Sequence, residues 1–209
     1  MTVRLGRRFF ARPTLDVAPD LLNKVLVAPG VAARIVEVEA YRGSDDPGSH
    51  AHRGVTPRTE VMFGRAGHLY VYFTYGMHWC ANVVTDDVGV PGAVLLRAAT
   101  PLRGHRVMRD RRPSARRDVD LSNGPAKLAQ AFGLCAPHDA ADLVRADLGV
   151  SIRDDGTPPP NDPAVGTRIG LSRGGDLPWR FAVDDVVEVS RPAPTGRRRR
   201  AGRGDEPAG

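Results

Sequence analysis

The chain has 209 residues, which is enough for one ample hydrophobic core, and no low-complexity linker divides it. Its net charge is +6 and its isoelectric point is about 10.0, so the composition favours a polyanionic partner. The two cysteines, Cys80 and Cys135, lack zinc-motif spacing, and we expect neither a metal nor a cofactor. The N-terminus lacks an apolar secretion signal and no apolar run reaches about 18 residues, which predicts a cytoplasmic protein without membrane attachment.

The positive charge is concentrated in two segments. Residues 103–118 contain seven arginines and two aspartates, a local charge of +5, and residues 192–209 have a local charge of +3. Only Lys24 and Lys127 are lysines, and the abundant arginines are the side chains that bind phosphate through paired hydrogen bonds. Charged runs are usually solvated surface, but at this isoelectric point a polyanionic partner explains them better.

The first part of the chain predicts a helix and a hairpin. Apolar residues at helical spacing predict a short amphipathic helix over 14–22, capped by Thr14. Strands over 24–27 and 34–41 flank a Pro-Gly turn, and we expect them to pair. A polar loop then leads to a short helix over 56–63.

The middle of the chain predicts an antiparallel meander. Apolar and aromatic residues alternate in three runs joined by short turns: 68–75, 78–85 and 93–99. Helices over 104–112 and 125–132 follow, and a strand over 186–189 is predicted to close the sheet. These elements predict an α+β fold, a single domain over 1–191 with a curled, mostly antiparallel sheet and flanking helices. We expect 192–209, rich in Pro, Gly and Arg, to be a disordered tail.

The strand over 34–41 carries two carboxylates. Because side chains alternate along a strand, Glu37, Glu39 and Tyr41 are predicted to project from one face. The opposite face is predicted to bury three apolar side chains: Val36, Val38 and Ala40. Paired glutamates are more often a solvated face than a catalytic pair, so this strand alone does not indicate chemistry.

Aromatic and imidazole side chains are concentrated near this strand. Three of the four tyrosines fall between positions 70 and 75, the fourth is Tyr41, and four of the six histidines lie between 50 and 78. In a basic protein, aromatic rings beside a carboxylate suit a pocket for a planar base that has left a nucleic-acid stack.

Five motifs in order resemble the alkyladenine (3-methyladenine) DNA glycosylase family, over residues 13–191. They are Glu37-Val38-Glu39-Ala40-Tyr41, Thr56-Pro57-Arg58 with Met62-Phe63, Leu69-Tyr70-Val71-Tyr72 followed by Tyr75-Gly76-Met77, Leu95-Leu96-Arg97-Ala98, and Gly124-Pro125-Ala126-Lys127-Leu128. The resemblance implies the same curled fold and a role in base-excision repair. Such an enzyme flips 3-methyladenine, 7-methylguanine, hypoxanthine or ethenoadenine out of double-stranded DNA and hydrolyses the N-glycosidic bond, leaving an abasic site.

The resemblance also implies the catalytic residues. Hydrolysis needs a base that activates water, and Glu37 and Glu39 lie about 6.7 Å apart along a strand, so geometry does not choose between them. The family pattern places the base at Glu39, immediately before Ala-Tyr, and leaves Glu37 as a partner for an arginine. Arg97 and the backbone of Leu171 are expected to help hold the water.

A base pocket follows from the same resemblance. Tyr41, His50 and Tyr72 are expected to sandwich and contact the flipped base, and Asn82 is expected to exclude purines that carry a 2-amino group. A tyrosine on a sheet is more often a core residue, so these roles depend on the motif match. His52 offers a neighbouring imidazole, and the sequence leaves open whether His50 or His52 contacts the base.

Further residues are predicted to contact DNA outside the pocket. Tyr75 lies at the tip of a turn, and its matched family position is a wedge that fills the gap left by the flipped nucleotide. Lys127, in the first turns of a helix, and Arg103 and Arg106, in the basic segment, are expected to contact phosphates. We therefore expect a monomer that binds damaged duplex DNA and associates with the nucleoid.

The sequence favours a glycosylase without lyase activity. Strand cleavage needs an amine nucleophile, but Lys24 begins an apolar strand and Lys127 suits a phosphate contact better. Two other classes remain open. A nucleoside or small-glycoside hydrolase could use Glu37 and Glu39 as a carboxylate pair, although it would not need the basic segments. A non-catalytic nucleic-acid-binding module would explain the charge and the aromatic residues, although not the carboxylates that face them.

Overall fold

The computed structural model of the protein describes residues 2–190 and the backbone of residues 196–197. Within these residues the chain forms four α-helices: α1 (Arg7–Phe10), α2 (Thr14–Leu21), α3 (His105–Arg111) and α4 (Pro125–Phe132). None of the described helices is long and apolar enough to cross a membrane. The tail predicted over 192–209 lies outside the described residues, apart from the pair 196–197.

The described strands form one antiparallel sheet. They are β1 (Val3–Arg4), β2 (Val25–Ala28), β3 (Val31–Tyr41), β4 (Leu69–Thr74), β5 (His78–Thr85), β6 (Gly92–Arg103), β7 (Ser151–Asp154), β8 (Ala164–Gly166), β9 (Arg180–Ala182) and β10 (Gly196–Arg197). The main order is β1-β7-β2-β3-β6-β5-β4, while β9 pairs with β3 and β8, and β10 pairs with β8. The predicted α+β class and the curled antiparallel sheet are confirmed, and β4, β5 and β6 are the predicted meander.

Two helices pack against the central strands of the sheet. α2 packs on β3 and β6, and α4 packs on β5 and β6. Leu21 of α2 and Leu128 of α4 are fully buried together with Val38 and Leu96 of the central strands. Burial of each such side chain contributes about 2 kcal/mol. This core therefore fixes β3 and β6, the two strands that carry the predicted catalytic side chains.

Two predicted helix starts differ in the structure. Thr14 is the first residue of α2 rather than its cap, and its hydroxyl lies 2.7 Å from that of Thr85, so a tertiary contact replaces local capping. Of the second predicted helix, only Glu60–Phe63 is helical, as a 3₁₀ turn. The hydroxyls of Thr56 and Thr59 each accept a hydrogen bond from the other residue's backbone N–H, which holds the preceding residues in a turn.

The strand predicted over 186–189 is wrong, because these residues form turns. Asp185 has a φ of 56°, a left-handed conformation that interrupts the extended path just before them. β9 instead lies along the edge of β3. Val189 still packs against Val36, so the apolar pattern of this segment reflects burial rather than strand pairing.

β3 contains a bulge at its centre. Its register against β6 shifts on both sides of Glu37, and the shift breaks the regular alternation of side chains. Val38 and Ala40 join the main core, but Val36 packs in a separate cluster with Ala182. The expectation that Val36 shares a face with Val38 and Ala40 is therefore wrong.

Both edges of β3 are covered around the two glutamates. β6 pairs with one edge, while on the other edge β2 pairs with residues 31–34 and β9 pairs with residues 37–39. Every residue from Ile35 to Tyr41 is buried. A solvated glutamate face is thus excluded, and both carboxylates lie inside the protein.

Candidate active site

Glu39 is fully buried and held by three groups from different parts of the chain. Its carboxylate accepts hydrogen bonds from the Tyr41 hydroxyl at 2.9 Å and from the Ile169 backbone N–H at 2.8 Å. It also forms an ion pair with Arg97, whose Nη1 lies 3.1 Å from Oε1. A carboxylate has about four acceptor positions, so these contacts leave one position for a further donor such as a water molecule.

The surroundings of Glu39 favour a base that can take up a proton. Burial raises the pKa of Glu39, while the charge of Arg97 and the hydrogen bonds from Ile169 and Tyr41 oppose that rise. Burial and the neighbouring Glu39 also raise the pKa of Tyr41 well above its ordinary value, which keeps its hydroxyl protonated as a donor. A carboxylate with a raised pKa is a stronger proton acceptor than a free one.

Glu37 has a different set of partners. Its Oε1 accepts hydrogen bonds from Arg97 Nε at 3.1 Å, Arg180 Nη1 at 3.0 Å and the Ser190 hydroxyl at 2.8 Å, and its Oε2 accepts from the Ser190 N–H at 2.8 Å. The expectation that Glu37 partners an arginine is confirmed, with two arginines. Four donors from three residues hold this carboxylate in place, which makes Glu37 a structural anchor.

A cavity of about 170 Å³ opens in front of this cluster. Pockets for drug-sized ligands begin at roughly 300 Å³, so the volume suits a single planar ring system. Seven of the predicted site residues line it: Tyr41, His50, Tyr72, Tyr75, Asn82, Arg97 and Leu171. Glu39 lies directly behind this wall, because Tyr41, Arg97 and Ile169 contact its carboxylate and also line the cavity.

Aromatic side chains form one side of the cavity. The rings of Tyr70 and Tyr72 are stacked with centroids 5.0 Å apart, and the His50 ring meets Tyr72 edge-on at 4.7 Å. Arg58 places its guanidinium carbon 5.5 Å from the Tyr72 ring centroid. Burial raises the pKa of Tyr72, so its ring remains uncharged and suited to stacking on a base.

The structure distinguishes the two candidate histidines. His50 lines the cavity and its Nδ1 lies 3.0 Å from the Tyr70 hydroxyl, whereas His52 contacts the Ser44 carbonyl oxygen at 2.7 Å, away from the cavity. His50 keeps exposed surface, but partial burial of its ring and the charge of Arg58 lower its pKa to about 4. His50 is therefore neutral at physiological pH.

Asn82 lies in the cavity wall on β5, next to the aromatic strand β4. It is buried, and its Oδ1 has no hydrogen-bond partner within the described part of the chain. Asn82 pairs with Tyr70 on one neighbouring strand and with Leu95 on the other, so its position is fixed by the sheet. An unpartnered buried carbonyl costs about 1–3 kcal/mol, which is more typical of a binding site than of a structural core.

Tyr75 lies at the tip of the β4–β5 hairpin, at the rim of the cavity. Tyr75 and Gly76 have φ values of 51° and 67°, and the Met77 N–H donates to the Thr74 carbonyl oxygen at 3.2 Å. Two successive left-handed residues form a tight hairpin turn, in which glycine avoids strain. The Tyr75 side chain is outside the packed body, as expected, with 77% of its surface exposed.

The predicted phosphate contacts are not gathered at the cavity. Lys127 Nζ donates to Asn123 Oδ1 at 2.7 Å, and Lys127 does not line the cavity. Arg103 ends β6 six residues beyond Arg97, about 20 Å along an extended strand. Arg103 and Arg106 are both exposed at that end of the sheet.

Three residues that contact the carboxylates were not predicted from the sequence: Ile169, Arg180 and Ser190. Ile169 contributes its backbone N–H, which has no side-chain signal, and Ser190 reaches Glu37 from a segment that was predicted to follow a strand. Leu171 lines the cavity two residues after Ile169, so the sequence located the correct loop but not the residue that touches Glu39.

Comparison with known proteins identifies the family of this chain. The family model for methylpurine-DNA glycosylase matches residues 8–186. A relative from Burkholderia lata is 54% identical over 189 residues, which are 90% of this chain and 91% of the relative. A relative from Streptomyces avermitilis is 50% identical over 203 residues, 94% and 95% of the two chains. One from Methanocella arvoryzae is 43% identical over 197 residues, 91% and 97% of the two chains.

Each of these three relatives bears the name "Putative 3-methyladenine DNA glycosylase". The match to the family model begins within α1 and ends after β9, so it spans the positions of the residues that contact Glu39. The chain therefore belongs to the methylpurine-DNA glycosylase family, whose members are hydrolases of DNA base-excision repair.

Proposed function

We propose that this protein is a monofunctional purine DNA glycosylase that flips damaged purines out of double-stranded DNA and hydrolyses their N-glycosidic bond. One observation carries the proposal: a buried, hydrogen-bonded Glu39 lies directly behind an aromatic cavity of the size of a single base. A nucleic-acid-binding module has no need to bury a carboxylate at that cost in solvation. A hydrolase needs one beside the reacting sugar.

In the proposed mechanism Glu39 is the general base. A water molecule donates to the remaining acceptor position of Glu39, loses its proton to the carboxylate and attacks the anomeric carbon of the sugar. The N-glycosidic bond breaks, and the damaged purine leaves with the bonding electron pair. The transition state resembles an oxocarbenium ion, and the negative charge of Glu39 stabilises it. Arg97 and the backbone near Leu171 orient the carboxylate and the water.

The cavity walls are proposed to select the base. Tyr41, His50 and Tyr72 contact the flipped purine, and neutral His50 offers its imidazole as a hydrogen-bond partner rather than as a charge. Asn82 narrows the pocket against purines with a 2-amino group. The proposed substrates are 3-methyladenine, 7-methylguanine, hypoxanthine and ethenoadenine, with Tyr75 filling the gap that the extruded nucleotide leaves.

The absence of lyase activity is part of the proposal. The chain contains two lysines, and both are engaged: Lys24 is buried with its Nζ 2.6 Å from Asp154 Oδ2, and Lys127 binds Asn123. Neither lines the cavity. Borohydride should therefore trap no covalent enzyme–DNA adduct, and the product should be an unbroken strand with an abasic site.

We further propose that the protein acts as a monomer on duplex DNA of the nucleoid. Lys127, Arg103 and Arg106 are the proposed phosphate contacts. Because exposed arginines outnumber their acidic partners in the basic segment, association is expected to be electrostatic and salt-dependent.

The test is a panel of duplexes that each carry one lesion, assayed for abasic sites under single-turnover conditions. We expect excision of at least one alkylated or deaminated purine, no strand cleavage, and no activity of Glu39→Gln. Free nucleosides serve as the control for a small-glycoside hydrolase. Hydrolysis of nucleosides without activity on duplexes, or duplex binding without any turnover, would contradict the proposal.

A further inference from the structure

A second buried ion pair lies next to the cavity, between Arg168 and Asp46. Both side chains are completely inaccessible, and Arg168 Nη2 lies 2.7 Å from Asp46 Oδ1. Removing two charges from water is costly unless several further contacts compensate. The position of these contacts indicates what the pair does.

The Arg168 guanidinium lies between two aromatic rings. Its central carbon is 4.6 Å from the Tyr41 ring centroid and 5.1 Å from that of Trp179. Its Nη1 also donates to the Ala40 carbonyl oxygen at 3.0 Å, between Glu39 and Tyr41 on β3. A flat guanidinium held in this way restricts the plane of the Tyr41 ring, which lines the cavity.

Asp46 connects the pair to the loop that carries His50. Its carboxylate accepts hydrogen bonds from the N–H of Arg42 at 3.2 Å and of Gly48 at 2.9 Å. A Cβ at Gly48 would lie 2.8 Å from Leu171 Cδ1 and 2.9 Å from Arg168 Nη2, so a larger residue there would displace one of these side chains. The pair therefore joins β3, the His50 loop and the segment 168–171, which all line the cavity.

We infer that Arg168 is a positioning residue for base excision, which aligns the Ile169 N–H with Glu39 and fixes the Tyr41 ring through its pairing with Asp46. Arg168 is adjacent in sequence to Ile169, whose N–H lies 2.8 Å from Glu39 Oε1. A shift of the guanidinium moves that donor directly. The inference rests on the proposed role of Glu39 as the base.

The substitution Arg168→Lys separates positioning from charge. Lysine keeps the positive charge next to Asp46, but it has no flat surface to pack against the rings of Tyr41 and Trp179. It also lacks the forked donors that bind the Asp46 carboxylate and the Ala40 carbonyl at the same time. The variant leaves in place the other titratable and charged groups near Glu39, which are Arg97, Tyr41, Glu37, Tyr72 and Cys80. A matched control is Arg34→Lys, because Arg34 binds Asp155 through two nitrogens at the other end of β3.

The experiment follows the Ile169 backbone amide by NMR through a pH titration of the full chain, together with the pH profile of single-turnover excision. In the wild type the amide reports the protonation of Glu39. In Arg168→Lys we expect the amide midpoint and the acid limb of excision to move to higher pH, because Glu39 loses a donor to its ionised form. The rate should fall by up to about 100-fold, the scale for displaced catalytic groups.

The amide measurement tests the role of Arg168 separately from the role of Glu39 as the base. If wild-type excision does not follow the Glu39 titration, the proposed base is wrong, whereas a shifted amide midpoint in Arg168→Lys still supports positioning. A folded Arg168→Lys with a wild-type midpoint overturns the inference, as does an equal shift in Arg34→Lys. If Arg168→Lys does not fold, the near-isosteric Asp46→Asn decides: a shift in the same direction supports the inference, and an unshifted midpoint overturns it.

Discussion

The guanidinium of Arg97 lies 3.1 Å from the carboxylate of Glu39, and neither group is more than 6% exposed. The same guanidinium bonds to Glu37, so the two carboxylates of β3 share one arginine. They differ in their remaining partners. Glu37 is bound by Arg180 and Ser190, which do not line the cavity, whereas Glu39 is bound by Tyr41 and Ile169, which do.

Replacing Glu39 by glutamine should therefore abolish the chemistry and preserve the fold. The amide has the shape of the carboxylate but cannot take a proton from water. We expect single-turnover excision to fall by at least about 100-fold, while affinity for duplex DNA changes little. If Glu39→Gln retained excision and a fully stable Glu37→Gln lost it, Glu37 rather than Glu39 would be the base.

Glu37→Gln should instead destabilise the protein. It removes the carboxylate charge that the buried Arg97 and Arg180 share, and removing one partner from a buried pair typically costs about 3 kcal/mol or more. We expect a lower midpoint in urea denaturation with an unchanged slope. Folded Glu37→Gln at low temperature should keep a much larger share of excision activity than Glu39→Gln, which serves as its control.

The pH dependence of excision should report the raised pKa of Glu39. The base acts only when ionised, so activity is present above this pKa and is lost as the pH falls through it. Because burial raises the pKa, the acid limb should lie above 4.5, the ordinary value for glutamate. His50, with a pKa near 4, titrates at lower pH, so His50→Asn should leave the midpoint in place. A limb at or below 4.5 would contradict the assignment.

The meander was predictable because its signal is local. Alternation within β4, β5 and β6 and short turns between them indicate pairing without knowledge of the rest of the chain. β8 and β9 have three residues each, too few for a period to emerge. The bulge at Glu37 was invisible for another reason, since it depends on how β3 fits between β6 and β9 rather than on its own residues.

The site was predictable only where a motif identified it. The family resemblance located Glu39 and seven cavity residues, of which all but Leu171 lie between positions 41 and 97. The partners that distinguish the two glutamates lie far away in sequence: Arg180 is 143 residues from Glu37, and Ser190 is 153 residues from it. In a chain this rich in arginine, composition does not indicate which arginine pairs with which acid. The pairing of arginines with acids is determined by the fold.

The basic segment should determine the salt dependence of DNA binding. Removing one arginine–phosphate interaction lowers the slope of log K against log salt by about 0.9, so the double variant Arg103→Ala, Arg106→Ala should lower it by about 1.8. Arg109→Ala is the control, because Arg109 already pairs with Asp118 within the protein. The measurement is equilibrium binding to undamaged duplex at several salt concentrations. An unchanged slope in the double variant would place DNA on another surface.

The exposed tip of the β4–β5 hairpin should determine how often a lesion is extruded. Tyr75 is 77% exposed at the cavity rim, so its removal costs no core packing. Serine at this position keeps the left-handed φ of 51° that tyrosine already adopts, so the turn is not strained further. A rigid ring that fills the vacated stack offsets part of an unstacking cost of a few kcal/mol, and serine does not.

We therefore expect Tyr75→Ser to keep its fold and its non-specific affinity but to extrude the lesion much less often. With 2-aminopurine beside the lesion, its fluorescence should increase when the wild type binds and should not increase when the variant binds. Val88→Ser, which removes another exposed apolar side chain from a different hairpin, should brighten normally. If Tyr75→Ser unfolds, or brightens like the wild type, Tyr75 is not the wedge. Met77, 67% exposed after the same turn, is then the residue to replace.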